Sequence, residues 1–185
     1  GNTSFLDTII NSSLKIGSLN GDGNRDWFVG PDNITGWPDG GVYISNSFYI
    51  SESNEWLFSF NADCNSFTIG DAYATLLQDG DENVGIFKLN SNGSCEFIKT
   101  VSNYGSAPEI KGLSNEIYLA GSVISSQLLN TGFSHPSSVS SEYGYLQKLD
   151  ENGDHIFTRY FSVPLIPANT SWINVDNLLT FSNNS

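Results

Sequence analysis

Methionine is absent from the 185 residues, and lysine and arginine together number 7 against 20 aspartates and glutamates. The resulting net charge of −13 leaves too few cations to assemble a basic patch, which argues against nucleic acid and anionic membrane as partners. No stretch reaches the ~18 apolar residues of a membrane span, so membrane insertion is not expected. No charged-then-apolar leader begins at Gly1. The missing methionine fits a chain that starts after a processing event, or a fragment. Only two cysteines occur, Cys64 and Cys95, far apart and without a CxxC spacing, so a thiolate metal site is not expected. An oxidising compartment would let the pair form a disulfide, and two buried thiols are the alternative.

What is present points to β structure. Aromatic residues make up 13% of the chain, glycine occurs 18 times, and serine and asparagine are abundant, a composition of strands and many turns rather than of disorder. The length suits a single domain spanning residues 1–185, able to bury roughly 70% of the surface its unfolded form exposes. Six Asn-x-Ser/Thr sequons, at Asn2, Asn11, Asn33, Asn92, Asn169 and Asn183, suit a secreted glycoprotein, although a chain this rich in Asn and Ser also makes sequons by chance. The acidic balance fits an extracellular or cell-surface location.

One stretch lines up oxygens at metal-binding intervals. Ser18, Asn20, Asp22 and Asp26, with the Asn24 carbonyl between them, recur at the spacing by which a short loop wraps a hard cation such as Ca²⁺. Gly21 and Gly23 allow the loop to turn, and Trp27, Phe28 and Val29 form an apolar, β-prone run closed by Gly30-Pro31. The alternative is an Asx-rich turn without an ion.

Residues 13–50 resemble an FG-GAP repeat, the blade unit of the integrin α-type β-propeller. Asn20-Gly21-Asp22-Gly23 supplies the loop, Trp27 to Val29 the strand, Gly30-Pro31 a shortened Gly-Ala-Pro, and Gly41-Val42-Tyr43-Ile44 the next strand. Ser18 stands where the family has Asp, and Arg25 adds a positive charge. The resemblance implies a propeller blade and a bound Ca²⁺.

An internal repeat runs further along the chain. Lys88 meets Lys148, Leu89 meets Leu149, Asn92-Gly93 meets Asn152-Gly153, Phe97 meets Phe157, and Lys99 meets Arg159. In each copy an Asn-Gly pair joins two alternating runs, which predicts a tight hairpin, since both turn residues tolerate positive φ. The order Asn-x-Ile-Tyr-Leu-Ala-Gly from Asn115, then Tyr-Leu-x-Lys-Leu-Asp-x-Asn-Gly from Tyr145, is similar to bacterial bladed-propeller repeats of secreted surface proteins. Further strands are expected at 42–50, 56–60, 67–69 and 115–123, with chain-end strands near 4–10 and 173–181. Residues 31–41 and 125–142 read as surface loops, and residues 61–66 as a hairpin loop. The expected fold is all-β, a propeller-like array of antiparallel blades, with a β-sandwich as the alternative. Three to four units fall near or below the smallest closed propeller, so either the domain is part of a larger propeller, or an assembly of copies completes the ring or stack, or the strands rearrange into a sandwich.

No catalytic constellation emerges. His135 and His155 have no partnered nucleophile nearby in sequence, and the acidic clusters at 79–83 and 150–154 read first as turns. The chain is therefore read as a non-enzymatic structural or adhesive module, calcium-stiffened, that self-associates or binds a surface protein or glycan. The competing class is a secreted carbohydrate-binding protein or glycoside-active enzyme built on aromatic loops around Trp37 and Trp56.

Overall fold

Alternating runs of Val, Ile, Phe, Tyr and Thr become antiparallel strands wherever turn residues let the chain fold back on itself. The computed structural model describes residues 15–19, 22–36, 41–76, 83–102, 107–113, 115–123 and 143–161. Its strands are β1 (Ile16–Leu19), β2 (Arg25–Val29), β3 (Pro31–Thr35), β4 (Val42–Ile50), β5 (Glu55–Ala62), β6 (Ser66–Ile69), β7 (Ala72–Thr75), β8 (Asn83–Leu89), β9 (Cys95–Ser102), β10 (Glu109–Leu113), β11 (Glu116–Val123), β12 (Tyr143–Asp150) and β13 (His155–Phe161). They form four antiparallel sheets: β1-β2, β3-β6-β7, β4-β5-β8-β9 and β10-β11-β12-β13. The fold is all-β, as expected, and no closed ring of sheets is formed among the described residues.

The four-stranded β4-β5-β8-β9 sheet is central. Its two faces feed two separate cores. On one face Leu57, Val84, Ile86 and Val101 pack with Ile110, Ile117, Leu119, Tyr145 and Leu149 of the β10–β13 sheet. On the other, Phe58, Phe60, Phe87 and Leu89 pack with Phe67, Ile69, Ala74 and Leu76, and with Ile16, Trp27 and Val29 of β1 and β2. A sheet covered on both faces favours near-continuous apolar runs, as at Trp56 to Phe60, and all seven residues of β8 are buried, Asn83 and Lys88 being its polar members. Each buried Phe or Leu contributes about 1.5–3 kcal/mol. Gly112 lets the last sheet approach closely, since a Cβ there would lie 2.6 Å from Ile50 Cγ1.

Two expectations are corrected. Residues 31–35 are not a surface excursion: they form β3, which pairs with β6 around Asn33, a residue held at φ 50°. The segment after Ala62 is not a hairpin loop back onto β5. The edge of β5 is taken by β8 over seven residue pairs, and four-residue β6 is too short to compete for it. The chain therefore leaves the sheet, forms β6 and β7, and returns. The two Asn-Gly hairpins form as expected, and within their turns only Gly93 and Gly153 take positive φ, at 83° and 76°. Asn92 and Asn152 do not, because each turn is one residue longer than a two-residue hairpin: Gly93 N–H donates to the Asn90 carbonyl and Asn90 N–H to the Ser94 carbonyl, with the pattern repeated at Gly153, Asp150 and Asp154. The predicted chain-end strands near 4–10 and 173–181 lie outside the described residues.

Candidate functional site

The loop singled out in the sequence is the tip of the β1-β2 hairpin. Ser18 stands directly across from Trp27, and Leu19 pairs with Arg25, leaving Asp26 as the extra residue of a bulge. Asp22, Asn24 and Asp26 are exposed at that tip, while Asn20 lies outside the described residues. Two carboxylates and an amide on one tip are an all-oxygen donor set of the kind a hard cation takes. Ser18 is half-buried on the face that carries Trp27 toward the central sheet, so it belongs to the strand pair more than to the tip. No group of three His, Cys, Asp or Glu side chains is gathered for a metal among the described residues.

The same hairpin occurs three times. Lys88 pairs with Phe97 and Leu89 with Cys95; Lys148 pairs with Phe157 and Leu149 with His155; the register matches Ser18 with Trp27 and Leu19 with Arg25 step for step. Each bulge falls at the same place, and Gly23, Gly93 and Gly153 all sit near φ 80°. In the second and third copies the first Asx side chain holds the turn: Asn90 Oδ1 accepts from the Asn92 and Ser94 N–H groups at 3.3 and 3.0 Å, and Asp150 Oδ1 from Asn152 and Asp154 at 2.9 Å each. The first copy escapes the sequence comparison because the interval changes from seventy residues to sixty. The signal that finds it is an aromatic four residues after the turn glycine, at Trp27, Phe97 and Phe157.

These aromatics join the layers. Trp27 Nε1 donates to the Ser91 carbonyl at 3.0 Å, and its ring lies against Gly93, where a Cβ would come within 2.5 Å of Cδ2. One layer further on, Phe97 covers Gly153, Lys88 Nζ donates to the Glu151 carbonyl at 2.9 Å, and Lys99 pairs with Asp154 at 3.0 Å. Lys88 is buried, and its charge is held by Glu96 at 2.7 Å and Glu55 at 3.3 Å. The first and second hairpins thus each grip the turn of the sheet after them.

The remaining candidates fall out as follows. Cys64 and Cys95 are free thiols that pack in the same core; burial pushes them up to about 11 and about 12, so both stay protonated at neutral pH. Asn33 and Asn92 are exposed, and Asn33 Nδ2 donates to Thr68 Oγ1 at 3.1 Å; Asn2, Asn11, Asn169 and Asn183 lie outside the described residues. Trp56 is not on a loop. It lies in β5 between Tyr49 and Phe58, with ring centroids 4.7 and 6.2 Å away, as part of the core. Trp37 and His135 are outside the described residues. His155 faces Thr158 Oγ1 at 3.0 Å, and desolvation holds its pKa below the usual value.

Alanine at the three turn glycines separates backbone strain from lost clearance. Gly23→Ala should cost about 1–2 kcal/mol, the left-handed penalty alone, because a Cβ there meets nothing within 4 Å. Gly153→Ala should cost more, and Gly93→Ala most, by about 1–3 kcal/mol of overpacking against Phe97 and Trp27. Urea denaturation of the three variants checks the order. For the cysteines, a thiol reagent at mildly alkaline pH should label neither residue in the native chain and both after denaturation; rapid native labelling would show that the thiols are not desolvated.

No protein-family model matches this chain, and no curated protein sequence matches it.

Proposed function

We propose that this chain is an extracellular, non-enzymatic structural or adhesive module, a propeller-like array of antiparallel blades that acts through self-assembly or by binding a surface protein or glycan. The observation that supports it best is the thrice-repeated hairpin, whose first two copies grip the next sheet through Trp27 and through Phe97 and Lys88. Repeat architectures of this kind derive stability from nearest-neighbour contacts and leave their outer faces and loops for recognition. The acidic balance and the sequons at Asn33 and Asn92 support an exterior location. Calcium is proposed as a stiffener of the first hairpin, held by Asp22, Asn24 and Asp26, with Ser18 and Asn20 as the further positions that the FG-GAP resemblance names.

A glycan array run beside hydrolysis assays tests the class: turnover of any glycoside would overturn the non-enzymatic reading. Melting curves with calcium and with chelator test the metal. An ion bound only by the folded chain stabilises it by about 2.7 kcal/mol at one hundred times its Kd. Asp22→Ala and Asp26→Ala should each bring the calcium midpoint down to the chelated one and leave the chelated midpoint nearly unchanged. A parent curve indifferent to chelator would remove calcium from the proposal.

A further inference from the structure

The stack of hairpins has a direction, and its two ends are complementary. Trp27 covers Gly93 in the central sheet and Phe97 covers Gly153 in the last sheet, so the central hairpin sends its aromatic forward and receives one from behind, while the first only sends and the third only receives. At the rear end nothing among the described residues lies within 4 Å of a Cβ built on Gly23. Leu19, which corresponds by register to Leu89 and Leu149, is 47% exposed, whereas those two are 0% exposed under the preceding layer. Phe28 is exposed beside it.

At the front end the gripping side chains are present again. Lys148 alternates along β12 with Gln147 and Leu149, and Leu149 packs on the central sheet, so Lys148 and its partner Phe157 are on the face turned away from it. Glu116 holds Lys148 at 2.5 Å as Glu55 holds Lys88, and Arg159 lies over the Phe157 ring at 5.7 Å, in the position where Lys99 reaches the next turn. The front set is more open than its internal counterpart: the Lys148 and Glu116 side chains are 19% and 37% exposed against 7% and 17% for Lys88 and Glu55. Phe161 on the same face is exposed.

The geometry points to head-to-tail docking of a second copy of this chain, with the Phe157 and Arg159 face of one copy seated on the Gly23 turn and Leu19 of the next. The turns at Gly93 and Gly153 are already covered within each chain, so Gly23 is the described turn of this type with room for another aromatic. Charge favours the same pairing, because the exposed Arg159 at the front meets a tip bearing the exposed Asp22 and Asp26 at the rear. Such a contact joins two different surfaces, so it is heterologous and builds a ring if the rotation closes and a filament if it does not. This inference rests on the self-assembly reading above and supplies its surfaces.

Mixing complementary variants of the full chain tests it. Arg159→Glu with Phe161→Asp disables the front, and Leu19→Asp disables the rear; Phe28→Asp replaces the latter if its melting midpoint falls. By sedimentation velocity the parent chain should associate, each variant alone should be monomeric with the parent's circular dichroism, and an equimolar mixture should form a one-to-one dimer through its one intact front and one intact rear. A parent chain that stays monomeric at all concentrations, or an associating parent whose variants associate equally well or whose mixture does not dimerise, would overturn it. Those results leave the non-enzymatic reading standing, whereas glycoside turnover by a chain that still assembles would remove that reading and keep the docking.

Discussion

The contact between an aromatic ring and the turn glycine of the next sheet is the constraint on which the layering depends. A left-handed glycine presents a flat, side-chain-free patch of backbone, and the Trp27 and Phe97 rings fill it at distances that even one methyl group would violate. Because the same turn carbonyl also accepts a hydrogen bond from the gripping layer, from Trp27 Nε1 in one case and Lys88 Nζ in the other, the contact fixes position as well as separation. Sheets packed only through Phe, Ile and Leu could slide over one another. Sheets keyed at a turn are far more restricted.

This arrangement also accounts for a costly feature of the central sheet. Burying Lys88 requires that its charge be matched, and Glu55, Glu96 and the Glu151 carbonyl do so at once. The equivalent Lys148 keeps the Glu116 contact, which holds the glutamate's pKa below its usual value and raises that of the lysine. A lysine-carboxylate pair that recurs at one register position in successive sheets, buried between layers and half-open at the end of the stack, is what a repeated interface leaves behind when it runs out of neighbours.

The first hairpin shows how one local pattern admits two physical readings. Asn and Asp spaced two apart around glycines describe both a cation loop and an Asx turn, since each uses the same short side-chain oxygens. Its register places it with the turns at Asn90 and Asp150, whose side-chain oxygens accept backbone N–H groups. The exposed carboxylate of Asp22, where the two covered turns have Asn92 and Asn152, is what distinguishes it chemically from them.

Local chemistry alone determined the strands and the paired repeat. Two-residue alternation and Asn-Gly turns placed β4, β5, β8, β9, β11, β12 and β13, because side-chain direction in a strand and the left-handed preference of glycine are properties of a few consecutive residues. Which strands pair is a competition among distant segments. Nothing near Ala62 indicates that β8 will take the edge of β5 and send β6 to β3, since that outcome depends on matching length and on two-sided burial. The membership of the first hairpin in the repeat, the core position of Trp56 and the separate thiols of Cys64 and Cys95 were likewise decided by tertiary packing. Only once the layers are stacked does it become fixed which ring meets which glycine, and which end is left open.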